Sequence, residues 1–184
     1  MLFRSQEVGY PVAMKGITPK ITHRAAAGLL ALNVDSDTKA REVFERHSAR
    51  GKELDAPLDG VYMQHMENGK LEILVSALVD PVFGIMVTCG AGGVLTEPID
   101  DVSIMKAPFD KDAAREMLQR LRIVKRAPKI DPQADLDKLA EFVAQFSRIA
   151  ASAPWKNFIL EVNPVKWRID KVVAVDGLLV IEEP

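Results

Sequence analysis

The chain of 184 residues is short of cysteine and histidine and has no long apolar run, and each shortage excludes a class of protein. A single cysteine, Cys89, rules out an internal disulfide framework and any metal site built on several thiolates. The three histidines, His23, His47 and His65, show no metal-ligand spacing, so each reads as a surface or hydrogen-bonded side chain. No uninterrupted apolar stretch approaches the roughly 20 residues that span a bilayer. The segment from Met1 to Glu7 lacks the apolar core of a signal peptide. Neither sign of charge is in excess: 24 Lys plus Arg face 26 Asp plus Glu, a net of −2. That balance supplies no electrostatic drive toward nucleic acid or an anionic membrane. Repeats, low-complexity stretches and a clear interdomain linker are missing too. These exclusions leave a soluble, cytoplasmic domain.

What is present suits such a domain, since 48% of the residues are hydrophobic, enough to bury a sizeable core. Tyr10 to Lys15 reads as a strand, with Pro11 at its start where a missing N–H costs least. A second strand covers 29–34, and Asp35-Ser36-Asp37 can cap a helix over about 37–49 whose apolar stripe is Ala40, Val43 and Phe44. Gly51 to Pro57 reads as a polar connection. The runs 61–66 and 71–79 flank Asn68-Gly69, a hairpin signal. Strands are expected over 84–88 and 101–106, then helices over 110–122 and 132–152, the second with Asp131 as N-cap and Pro132 at its first turn. Strands over 158–162 and 172–175 and the apolar stretch 178–181 close the chain. Hairpin-linked strands mixed with helices favour an α+β class.

Three groups of residues could carry chemistry. Lys15, at a strand end, can present a point charge to a phosphate or simply be a solvated lysine. Gly90-Ala91-Gly92-Gly93 follows a strand, and closely spaced glycines let backbone N–H groups approach a phosphate. A tight structural turn explains the same glycines equally well. Neither a Walker loop nor a full dinucleotide fingerprint is present. Glu161 and Asn163 share a strand face, and Asp176 ends the next strand. If those strands pair, the three side chains form the hard-oxygen set that Mg²⁺ prefers. The competing reading is an Asn-Pro turn with a flanking acid. Cys89 reads as a small buried hydrophobe, because no His–acid pair accompanies it.

In order, these pieces resemble one family. Gly9-Tyr10-Pro11-Val12-Ala13-Met14-Lys15 resembles the "GYPVxxK" strand of ATP-grasp proteins. Thr18 to Arg24 is similar to the "SPDIxHK" segment of ADP-forming acyl-CoA synthetases, and 60–66, Glu72 with its strand, and Asp80-Pro81-Val82-Phe83-Gly84 follow suit. Gly90 to Glu97 resembles "GxGGxxxE", Asp101-Val102-Ser103 with Ala107-Pro108 resembles "DVSxxxAP", and Leu160 to Pro164 with Val175-Asp176 resembles "ELDINPV…VD". The similarity spans residues 8 to 182. It implies an ATP-grasp fold of two α/β lobes around a nucleotide cleft, as a single domain over 1–184 that is shorter at its N-terminus than its relatives.

The resemblance also implies a function: Mg²⁺-dependent phosphoryl transfer between ATP or ADP and a phosphohistidine during acyl-CoA and acid interconversion. Lys15, Gly92 and Gly93 would then hold the nucleotide. Glu161, Asn163 and Asp176 would hold Mg²⁺, and His23 and Glu97 would serve catalysis. The CoA-binding and ligase domains of the same synthetase would be the partners, with a second copy of the chain as a further candidate. The run after His23, Arg24-Ala25-Ala26-Ala27-Gly28-Leu29, departs from the family by lacking the acid that would orient an imidazole. That departure keeps a non-catalytic nucleotide-binding or assembly domain as the alternative.

Overall fold

The computed structural model describes residues 8–22, 24–93 and 101–182. The chain divides into two compact units, Met1–Met66 and Glu67–Pro184. Among the described residues no helix is long and apolar enough to cross a membrane.

Among the described residues the first unit holds a three-stranded antiparallel sheet and the helix Asp37–Glu53. Strand β1 (Val12–Ile17) lies between β2 (Leu30–Val34) and β3 (Gly60–His65). Val12 and Met14 of β1 pack with Ala31 and Val34 of β2 and with Ala40 and Val43 of helix α1 (Asp37–Glu53). Ser36 caps α1, its hydroxyl accepting the Lys39 N–H at 3.4 Å. The helix runs one turn past its expected end and takes in Gly51. A Cβ there would stand 2.9 Å from the Ala56 carbonyl, so close packing decides that turn against glycine's poor helix propensity.

The second unit is a six-stranded antiparallel sheet covered on one face by helices. Strands β4 (Leu71–Asp80), β5 (Gly84–Ala91) and β6 (Val102–Lys106) form a meander. Strand β7 (Asn157–Trp167) pairs with the other side of β4, and β8 (Val172–Ala174) and β9 (Gly177–Glu182) both pair with β7. Helices α2 (Lys111–Gln119), α3 (Arg122–Ile130) and α4 (Leu136–Ala151) supply the cover. Leu71, Ile73, Val75 and Ala77 of β4 meet Met117, Leu118, Leu139, Val143 and Phe146 in one core.

Three local expectations change. The Asn68-Gly69 hairpin does not form, because β3 pairs with β1 and β4 with β5 and β7, and the unit boundary falls between Met66 and Glu67. The hairpin lies instead between β4 and β5, where Asp80 Oδ1 accepts the Val82 and Phe83 N–H groups at 2.8 Å each. These bonds hold the Asp80 carboxyl below its ordinary range.

Asp131 does not start the last helix. It follows α3, a helix the sequence pattern missed, and Asp135 caps α4 by accepting the Asp137 N–H at 2.9 Å. Helix α3 has Leu121 at its N-cap, which offers no acceptor, and the buried Asp101 substitutes from 21 positions upstream. Its Oδ1 accepts the Arg122 N–H at 2.9 Å and its Oδ2 the Ile123 N–H at 2.8 Å. Two orphan amides of the helix terminus are thereby satisfied by tertiary structure.

Candidate functional site

On β1, side chains alternate across the sheet, so Lys15 lies on the face opposite Val12, Met14 and α1. It sits on the central strand between Leu30 and Tyr62 and is only 6% exposed. The reading of Lys15 as a solvated lysine therefore fails. A cation removed from water is costly unless anionic or dipolar groups face it.

In the second unit the chemistry gathers on the face of the sheet away from the helices. The pairing of β4 with β7 slips between Ile73 and Val75: Val75 faces Val162, and Ile73 faces Val165. Asn163 and Pro164 together therefore oppose Leu74, which is a β-bulge. Before the bulge, Phe158, Leu160 and Val162 pack toward the core, and after it Val165 and Trp167 do so. Glu161, Asn163 and, beyond the bulge, Lys166 are left for the other face.

Strands β8 and β9 meet β7 in one continuous register across this point. Asn163 donates its backbone N–H to the Asp176 carbonyl at 3.1 Å, and Val175 donates to the Pro164 carbonyl at 3.0 Å. Val162 faces Gly177 and Val165 faces Ala174, so Asn163 and Asp176 are directly opposite each other and share a face. Glu161 lies two residues earlier on β7, opposite Leu178 on β9 and Ser76 on β4. The fold thus brings the Asn163 and Asp176 positions together as a cross-strand pair, with Glu161 one step along the strand. Among the described residues no three or more His, Cys, Asp or Glu side chains cluster as a metal site.

The Asn163 amide oxygen also organises the glycine loop. The Gly93 N–H donates to Asn163 Oδ1 at 2.9 Å, and the Gly92 N–H donates to the Glu72 carbonyl at 2.8 Å. Both amides are engaged within the chain, so in this conformation the two glycines act through close approach. A Cβ on Gly92 would stand 2.6 Å from the Ile73 backbone. One on Gly93, whose φ is +64°, would collide with the Glu72 carboxylate. Glu72 in turn forms an ion pair with Lys166, with Oε1 at 2.5 Å from Nζ, and the same ammonium donates to the Gly69 carbonyl at 3.1 Å. Lys166 escaped the sequence reading, because strict alternation puts residues 163 and 166 on opposite faces. Only the bulge unites them, and Pro164 inside a strand was its one local sign.

His23 and Glu97 lie outside the described residues. Cys89 is fully buried, and burial pushes its thiol up to about 12, so the hydrophobe reading holds. His65 is exposed, as expected. His47 is not the surface or hydrogen-bonded side chain expected: it is fully buried in α1, and neither ring nitrogen has a hydrogen-bond partner among the described residues.

The profile of the ATP-grasp domain matches residues 3–181. The chain is similar to the β subunit of acetate–CoA ligase (ADP-forming) I from Pyrococcus furiosus, 32% identical over 181 residues, covering 96% of this chain and 78% of that subunit. It is similar as well to acetate–CoA ligase (ADP-forming) I from Archaeoglobus fulgidus, 31% identical over 182 residues, covering 97% of this chain and 26% of that longer protein. Among solved structures, the dinucleotide-forming acetyl-coenzyme A synthetase 1 of Ca. Korarchaeum cryptofilum, in complex with coenzyme A and Ca-AMPCP, superposes with a TM-score of 0.89 at 24% identity. That superposition covers 97% of this chain and 79% of the other.

Proposed function

Because the chain belongs to the ATP-grasp family, we propose that it is the nucleotide-binding part of an ADP-forming acyl-CoA synthetase, transferring a phosphoryl group between ATP or ADP and a histidine. The observation that carries this reading is the cross-strand pair of Asn163 and Asp176, next to a glycine loop anchored on the same asparagine. A carboxylate and an amide carbonyl, with Glu161 beside them, are the oxygen donors that suit Mg²⁺. An amide oxygen has two lone pairs, and the Gly93 N–H takes one of those on Asn163, which leaves the other for a cation. When bound, the ion would neutralise charge on the phosphate oxygens, the main requirement of in-line phosphoryl transfer.

Each residue of the chain has a part in that reading. Asn163, Asp176 and Glu161 orient the cation. Lys15 meets phosphate charge from its buried position on β1. Gly92 and Gly93 bring the loop close to β4, beside the Asn163 amide. His23 accepts the phosphoryl group, a role open to neutral imidazole near pH 7. The CoA-binding and ligase functions would come from partner domains, in the same polypeptide or another, as the longer Archaeoglobus relative suggests.

Titration calorimetry of ATP and ADP with and without Mg²⁺ tests the binding half of the proposal. Asn163→Ala and Asp176→Ala should each abolish the Mg²⁺-dependent part of the affinity. Supplying phosphorylated partner domains with wild type and a His23→Ala variant tests the transfer half. Binding without transfer would establish the non-catalytic alternative, which the missing acid after His23 favours. Absence of nucleotide binding would overturn both.

A further inference from the structure

Lys166 belongs to none of the sequence motifs, yet it is tied to the centre of the candidate site. Its side chain is 13% exposed, and its ammonium bridges Glu72 Oε1 and the Gly69 carbonyl. Glu72 is bound to the glycine loop in two ways: its carbonyl accepts the Gly92 N–H, and its carboxylate packs against the Gly93 α-carbon. The chain Lys166–Glu72–Gly93–Asn163 therefore runs without a break from an ammonium to the amide oxygen opposite Asp176.

A half-buried carboxylate beside the Asn163–Asp176 pair, where a polyphosphate and its cation are proposed to bind, is a liability. Like charges repel more strongly where water is partly excluded, and solution ions screen such a group poorly. Lys166 cancels that charge at hydrogen-bond distance and fixes the carboxylate against Gly93.

We infer that Lys166 is a positioning residue of the nucleotide site, compensating the charge of the Glu72 carboxylate and holding it against Gly93, so that the neighbouring Asn163–Asp176 pair accepts a polyphosphate. The inference rests on the nucleotide-binding reading above. It makes the effect of losing Lys166 depend on the β- and γ-phosphates of the ligand, which AMP lacks, and a role in folding alone would not do that.

The test uses the full chain and titrations with ATP, ADP and AMP in excess Mg²⁺, with the thermal midpoint of each variant as the folding control. Lys166→Met should weaken ATP by roughly tenfold or more, ADP by less, and AMP by at most about twofold, the scale of a hydrogen bond to a charged group. Lys166→Arg should restore binding by restoring the charge. Glu72→Gln with Lys166→Met should also recover most of it, because no free carboxylate remains. Should Lys166→Met fail to fold, Glu72→Gln alone decides the matter, since a lone ammonium there should bind ATP at least as well as wild type. Equal losses for ATP and AMP would overturn the inference. So would a double variant as weak as Lys166→Met, or a Glu72→Gln variant weaker than wild type. If wild type binds neither ATP nor ADP, the nucleotide reading falls and takes this inference with it. If wild type binds both and Lys166→Met matches it, this inference falls alone.

Discussion

At the scale of single residues, burial separates the chemically useful side chains from the inert ones. Lys15 is a buried cation on a central strand, whereas Cys89 is a buried thiol that stays protonated at neutral pH. Replacing Lys15 by alanine should cost about 1–3 kcal/mol of Mg-ATP affinity, the range for a hydrogen bond to a charged group. Titration calorimetry checks this, and an unchanged affinity would remove Lys15 from the site. His47 makes a prediction about pH. Burial pushes its pKa below the ordinary 6.5, with the charge of neighbouring Arg46 acting in the same direction. The unfolded chain therefore takes up a proton at a higher pH than the folded one. Stability from this group is complete above about pH 6.5 and is lost as the pH falls below it. Urea unfolding between pH 7.5 and 5 should show that decline in wild type and a shallower one in His47→Met. Parallel curves would mean that His47 is protonated as easily folded as unfolded.

At the scale of elements, long-range contacts do work that local sequence leaves undone. Helix α3 has no capping side chain of its own and is started by Asp101, whose two oxygens receive the Arg122 and Ile123 amides. Asp101→Ala should lower the unfolding free energy by about 1–2 kcal/mol, the usual worth of a helix cap. Chemical denaturation measures this directly, and a loss within about 0.5 kcal/mol would mean that water replaces the carboxylate, as at an ordinary surface position. Asp101 stood out in the sequence as part of a motif, but its role was hidden, because the amides that it caps are 21 and 22 residues away. The β7 bulge is the other such device. Alternation along the strand found Glu161 and Asn163 on one face, but it put Lys166 on the wrong one, since a single extra residue inverts every later side chain.

At the scale of the molecule, a ligand that binds only the folded chain must raise its stability. Mg-ATP at about a hundred times its dissociation constant should add about 2.7 kcal/mol, and chelating the metal should remove much of that gain. A thermal midpoint that ignores both additions would contradict a nucleotide site. The residues proposed for it, Lys15 in the first unit and the glycine pair, Asn163 and Asp176 in the second, came from the sequence, because their chemistry is carried by their identity and order. The mixed α+β class, most strands and α1 followed from hydrophobic period and capping residues, which act over a few positions. Partner choice did not. The Asn-Gly link between β3 and β4 has the chemistry of a hairpin, yet β3 pairs with β1 and β4 with β5 and β7. The register that sets Asn163 opposite Asp176, the bulge that turns Lys166 toward Glu72 and the remote cap on α3 were decided only by tertiary structure. Each depends on contacts between residues far apart in the chain, and the free energy of such contacts exists only once the sheet has assembled.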